Sequence, residues 1–107
     1  MTEHDFEQLF AQYPAIIKQM QNIFTSHDFI LALAQKNQKL YVEALHNYRN
    51  SEYMGTPAPF RTVHGILAKE LNSFPELVEI VRTDASSKDI FGHPSKCALW
   101  TKVNRLL

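Results

Sequence analysis

The sequence predicts a mainly α-helical domain that ends in a small β-hairpin, and three observations support this fold class. Apolar residues between positions 6 and 74 recur at steps of three and four, the spacing of amphipathic helices. Capping residues and prolines divide that stretch into separate helices. After Pro75 the pattern changes to short runs rich in β-branched residues, which are typical of strands.

Length and composition place the chain among globular proteins. It has 107 residues, 45% of them hydrophobic and only 3 of them glycine, so we expect one domain over residues 1–107. No apolar run approaches the roughly 20 residues needed to cross a bilayer. The first ten residues lack the features of a signal peptide, and the single Cys97 allows no internal disulfide. We therefore expect a cytoplasmic protein that does not enter a membrane.

The formal net charge is +0, which argues against strong nucleic-acid binding because phosphate neutralisation supplies most of the nonspecific affinity. The charges are unevenly distributed, however. Residues 1–30 contain one base and four acids, whereas residues 31–107 contain ten bases and seven acids. The later part of the chain can therefore present a mildly positive face.

An aromatic heptad seam runs through residues 1–25, which we predict to form a kinked N-terminal helical extension. The seam comprises Phe6, Phe10, Tyr13, Ile17, Met20 and Phe24. Pro14 interrupts the helix but leaves the seam in register, which favours a kink over two shorter helices. Two interpretations remain open: the seam packs on the chain's own core, or it forms the interface of a homodimer.

Two helices are predicted in the middle of the chain. Thr25 and Asp28 have the spacing of a capping box, so a helix should begin directly after Thr25 and cover Ser26–Lys36. This helix is apolar on most sides, and we expect it at the centre of the core. An amphipathic helix follows over residues 38–49, and the connecting segment 50–56 ends in a turn.

The clearest periodicity belongs to a helix predicted over residues 57–74, with Thr56 as its N-cap and Pro75 as its stop. Its buried stripe comprises Phe60, Val63, Leu67, Leu71 and Phe74. Its opposite face contains no acid and comprises Arg61, Thr62, Gly65, Lys69 and Asn72. His64 falls at the edge of the stripe, where we expect a hydrogen-bonded boundary histidine.

Residues 77–103 are predicted to form a hairpin. Residues 77–82 and 98–103 have the composition of strands. Turn-forming residues dominate positions 83–97, so we expect a long loop there. Ser95 leaves another possibility open, because it is placed to cap a helix through Trp100.

The order of three helices, strand, loop and strand resembles that of winged helix-turn-helix domains, over residues 26–104. The resemblance implies that helix 57–74 is the recognition helix, which enters the major groove of DNA. It also implies that the hairpin 77–103 is the wing, which contacts the DNA backbone or minor groove. The link 50–56 is longer than the turn usual in that family.

On this hypothesis the protein is a small DNA-binding regulator or accessory protein. Arg61 would contact guanine with two hydrogen bonds, and Gly65 would permit close approach. The predicted nucleic-acid-binding residues are Arg61, Thr62, Gly65, Lys69, Asn72, Lys88 and Lys96. The alternative is a protein-interaction module of similar fold whose partner would contact aromatic residues, including Tyr41, Tyr48, Tyr53 and Trp100.

The sequence contains no recognisable catalytic motif. Cys97 and His93 supply only two metal ligands, whereas a zinc site needs three or four. Neither a glycine-rich phosphate loop nor a glycine-flanked serine nucleophile is present. We therefore predict no enzyme, no metal and no cofactor.

Overall fold

The computed structural model describes residues 6–103, in which helices and a small antiparallel sheet form a mixed α/β fold. The helices are α1 (Glu7–Phe10), α2 (Tyr13–Gln19), α3 (Ser26–Lys36), α4 (Gln38–Asn47) and α5 (Pro59–Glu70), with a 3-10 turn (Leu71–Ser73) after α5. The strands are β1 (Ile23–Thr25), β2 (Glu52–Tyr53), β3 (Thr56–Pro57), β4 (Val78–Lys88) and β5 (Pro94–Lys102). Within the described part, none of these helices has both the length and the apolar character that crossing a bilayer requires.

The N-terminal extension forms two short helices, so the prediction of one kinked helix was wrong. In a continuous helix the ring of Pro14 would clash with the carbonyl of Phe10 and remove a hydrogen bond. The chain instead turns at Ala11 and Gln12 before α2 begins. Pro14 then lies in the first turn of α2, where a missing N–H costs little.

The aromatic seam packs on the chain's own core, the first of the two interpretations given above. Its buried members are Phe6, Tyr13, Ile17 and Phe24, and its half-buried members are Phe10 and Met20. The ring centroid of Tyr13 lies 4.7 Å from that of Phe29, and its hydroxyl donates to the carbonyl of Leu67 at 2.6 Å. These six side chains therefore pack within one chain, and their role as a homodimer interface stays a prediction.

The end of the seam is a strand and not a helix. β1 pairs antiparallel with β5, which gives the sheet the order β1-β5-β4 and sets Phe24 opposite Trp100. The ammonium group of Lys102 donates to the carbonyls of Lys18 and Met20 at 3.0 and 2.7 Å. Because this side chain of β5 satisfies carbonyls at the end of α2, the helix stops there and the chain continues into the sheet.

Helix α3 begins at the predicted capping box and ends at the predicted residue. The Thr25 hydroxyl accepts from the N–H of Asp28, and the Asp28 carboxylate accepts from the N–H of Thr25, both at 3.1 Å. The inward side of α3 is buried in the core, as predicted. The buried ring of Trp100 donates to the hydroxyl of Ser26 at 2.9 Å and so ties the sheet to this helix.

The hairpin is confirmed, but its arms are longer than predicted. β4 and β5 pair along most of their length, so residues 83–97 form strands around a short tip at 89–93 and not a long loop. Ser95 lies in β5. Only Val78 and Ala85 are buried in β4. Because the outer arms have no buried face, their sequence lacks the alternation of apolar and polar residues that predicts a strand.

Candidate nucleic-acid interface

The predicted recognition helix starts later than the sequence suggested. Thr56 is not its N-cap, because Thr56 and Pro57 form β3, which pairs with β2 in a short ribbon. α5 begins at Pro59, whose missing N–H is harmless in the first turn. The ribbon brings Tyr53 against the beginning of α5.

Most of the predicted apolar stripe of α5 faces the core, with one correction. The fully buried members are Val63, Leu67 and Leu71, and Phe74 is half-buried. Phe60, by contrast, is 42% exposed. Its ring meets Phe91 at the hairpin tip, with centroids 4.7 Å apart. The assignment of Phe60 to the buried stripe was therefore wrong, because this first turn faces the hairpin tip.

The predicted polar face of α5 lies on the surface. Its exposed members are Arg61, Gly65, Lys69 and Asn72, and Thr62 is half-buried. Apart from its neighbours in the helix, no atom of residues 6–103 lies within 4 Å of the Cβ position of Gly65, so the helix backbone is open to close approach. The amide of Asn72 donates to the carbonyl of Lys69 at 3.1 Å and caps the end of the helix.

A cleft of about 660 Å³ lies between α3, α5 and the hairpin. Arg61 and Gly65 line it from α5, and Lys96 lines it from β5. Three of the seven predicted nucleic-acid-binding residues therefore share one cleft. The other four, Thr62, Lys69, Asn72 and Lys88, lie outside its lining.

An aromatic ring positions the guanidinium of Arg61. The carbon at the centre of this group lies 3.7 Å from the centroid of the Tyr53 ring, which is a cation–π contact. A cation–π contact holds the guanidinium against the ring and does not require its N–H donors. The contact therefore restricts Arg61 to fewer rotamers before a ligand binds, which lowers the entropic cost of binding.

His64 connects α5 to α4 and to the hairpin tip. Its Nε2 lies 2.6 Å from the hydroxyl of Tyr41, and its ring stacks with those of Tyr41 and Phe91 at centroid distances of 5.8 and 6.4 Å. Burial raises the pKa of Tyr41 to about 12, so this hydroxyl remains protonated. The predicted hydrogen-bonded boundary position of His64 is confirmed.

The pKa of His64 makes the stability of the fold depend on pH. Burial and, to a smaller extent, the neighbouring His27 lower this pKa from its ordinary value of 6.5, while Asp89 acts in the opposite direction. As the pH falls through 6.5, the unfolded state binds protons that the folded state does not yet bind. The contribution of His64 to the free energy of unfolding is therefore fully present above this pH and decreases below it.

Urea unfolding midpoints measured from about pH 8 down to about pH 5 should reveal this loss. His64→Gln is expected to flatten the decrease. His46→Gln, which changes an exposed histidine of α4, is the control and should keep the wild-type slope. An undiminished slope in the His64 variant would show that another group causes the pH dependence.

Asp89 shapes the hairpin tip. Its Oδ1 accepts from the N–H groups of His93 and Phe91 at 3.0 and 2.9 Å, and these bonds hold the pKa of the carboxyl below its ordinary value. Gly92 has a φ of 86°, which favours glycine. Asp89 also brings a carboxylate to the cleft, where the two backbone N–H groups partly balance its negative charge.

The sequence did not reveal the part of the site that the hairpin tip builds. Phe91 and Asp89 line the cleft because the arms are long enough to set the tip beside α5. The turn formers Asp89 and Gly92 were a usable signal for a tight turn. We assigned them to a long loop because the sequences of both hairpin arms are polar and do not resemble strands.

Four side chains capable of binding metals line the cleft: His27, His64, Asp89 and Cys97. Across residues 6–103, however, no three or more such groups are placed to hold a metal ion together. The fold and the cleft define a small α/β protein in which a helix and a hairpin flank a cleft with cationic and aromatic walls. Comparisons with protein-family models, with curated proteins and with solved structures found no match.

Proposed function

We propose that this protein binds double-stranded DNA through α5 and the β4–β5 hairpin. The observation that carries the proposal is that Arg61 and Gly65 of α5 line the same cleft as Lys96 of β5. Cations from separate elements on one side of a protein suit a phosphate backbone. The arrangement agrees with the resemblance to winged helix-turn-helix domains, in which the recognition helix and the wing contact the duplex.

Helix α5 supplies the side that faces the groove. Its five polar-face residues include no acid, and Gly65 leaves the backbone accessible. Arg61, in contact with the Tyr53 ring, has paired N–H donors that can bind two oxygens of one phosphate. We therefore assign Arg61 and, further along the helix, Lys69 to phosphates.

The hairpin supplies backbone contacts. Lys88 and Lys96 are exposed and lie in its two strands. Lys88 pairs with Pro94 and Ser86 pairs with Lys96, so the two lysines lie two residue positions apart near the tip of the hairpin. They can therefore contact neighbouring phosphates.

Amide chemical shifts of the isotope-labelled protein would map the interface during titration with a short blunt duplex. We expect the largest changes in α5 and in the outer part of the hairpin, around Gly65 and Lys96. Helix α2 does not line the cleft, so its amides serve as the internal control. Changes confined to α2 and α4 would place the DNA elsewhere and reject the proposed interface.

A protein partner is the second candidate, favoured by exposed apolar side chains in the ribbon of β2 and β3, at the start of α5 and at the hairpin tip. Tyr53, Met54, Phe60 and Phe91 are 47%, 86%, 42% and 52% exposed. Aromatic and methionine side chains are enriched in protein interfaces. Of the aromatic residues that the sequence suggested for a partner, Tyr53 is exposed, Tyr48 is half-buried, and Tyr41 and Trp100 are buried in the core. An absence of any response to duplex DNA would favour this candidate.

A further inference from the structure

We propose that the cleft between α3, α5 and the hairpin holds one unpaired nucleotide of a DNA strand. The inference rests on the proposed DNA binding and specifies its substrate class: a duplex with a single-stranded tail is preferred to a blunt duplex. The cleft volume of about 660 Å³ falls within the range of roughly 300–1,000 Å³ found for small-molecule sites.

The walls of the cleft offer a stacking surface for a base. Phe60 and Phe91 meet edge to face with centroids 4.7 Å apart, and about half of each side chain stays accessible. The ring of His64 stacks on Phe91 and braces it from α5. An accessible aromatic ring supported in this way can stack with any base, because every base has a flat π face.

The cleft also offers charges for the phosphate of the same nucleotide. Arg61 of α5 and Lys96 of β5 both line the cleft, so a ligand bound there lies near two cations and one carboxylate, that of Asp89. A nucleotide joins a flat ring to a phosphate and therefore matches both the aromatic rings and the two cations.

The aromatic walls of the cleft require a base whose flat faces are free. The faces of a base within a duplex are covered by its stacked neighbours, and such a base reaches a pocket only after leaving the stack. A nucleotide in a single-stranded tail is already free to enter.

Fluorescence anisotropy should compare a blunt duplex with the same duplex carrying a short thymidine tail at either end of one strand. We expect at least one tailed duplex to bind about tenfold more tightly, the effect of one stacked base. Phe91→Ala should reduce the ratio of the affinity for the tailed duplex to that for the blunt duplex to about one. Phe91→Tyr keeps the ring and should keep the ratio. Ile80→Ala removes an exposed apolar side chain of the same hairpin outside the cleft and should also keep it.

The outcomes separate this inference from the proposed function. If the blunt duplex binds and neither tail improves its affinity, the inference is overturned and the DNA binding stands. A tail preference that survives Phe91→Ala overturns the inference as well. If no duplex binds at low salt, the proposed DNA binding fails and the inference fails with it.

Discussion

The double variant Arg61→Glu with Lys96→Glu should bind duplex DNA about 100-fold more weakly than the wild-type protein at about 100 mM salt. Each cation that neutralises a phosphate releases counterions, and the affinity varies with the salt concentration to a power of about −0.9 per contact. The loss of two contacts at this salt concentration therefore weakens binding by a factor of about 60. Repulsion between the two new carboxylates and the phosphates accounts for the remainder.

The matched control is Lys18→Glu with Lys39→Glu, which changes the net charge equally on α2 and α4, outside the cleft. All four substituted side chains are exposed, so both double variants should unfold at urea concentrations near that of the wild type. The control should lose much less affinity for DNA. Equal weakening in the two variants would mean that binding follows net charge and does not use the proposed interface.

The sequence predicted best those elements that carry their own start signal and a buried face. The start of α3 after Thr25 could be predicted because the capping box involves only four consecutive residues, and no distant contact is needed to recognise it. The burial of Leu67 on α5 followed from helical periodicity in the same way. Both features depend on neighbours in the chain, which a single sequence displays.

Elements that depend on distant pairing were predicted poorly. Phe24 continues the heptad spacing of the seam, yet it lies in β1 opposite Trp100. A buried Phe24 is compatible with both a helix and a strand. Only the presence of β5 as a pairing partner decides that this segment is a strand. The outer arms of the hairpin were missed for a related reason, since backbone pairing stabilises them without a buried apolar face.

In the candidate site, too, residues fixed by local sequence were predicted and residues placed by distant contacts were not. Arg61 and Gly65 were predicted because the exposed face of α5 follows from its buried stripe. Phe91 was not predicted as a site residue, because its position beside Phe60 depends on the length and direction of the hairpin arms. Lys96 was chosen as a lysine of the wing, and its position in the cleft emerged only from the packing of β5 near α3 and α5.

The rate at which the affinity for DNA decreases with salt concentration should reflect the number of cations that contact phosphates. The proposed interface assigns four of them: Arg61, Lys69, Lys88 and Lys96. If each replaces one counterion, a plot of log affinity against log salt concentration should have a slope of about −3.6. Between about 50 and about 200 mM salt, the affinity should therefore fall about 150-fold.

The most direct measurement is therefore a fluorescence anisotropy titration of the wild-type protein with a labelled random-sequence blunt duplex at these two salt concentrations. Binding at about 50 mM salt that weakens about 150-fold by about 200 mM is the result expected for an interface formed by α5 and the hairpin. An absence of binding at about 50 mM salt would contradict DNA binding by this protein.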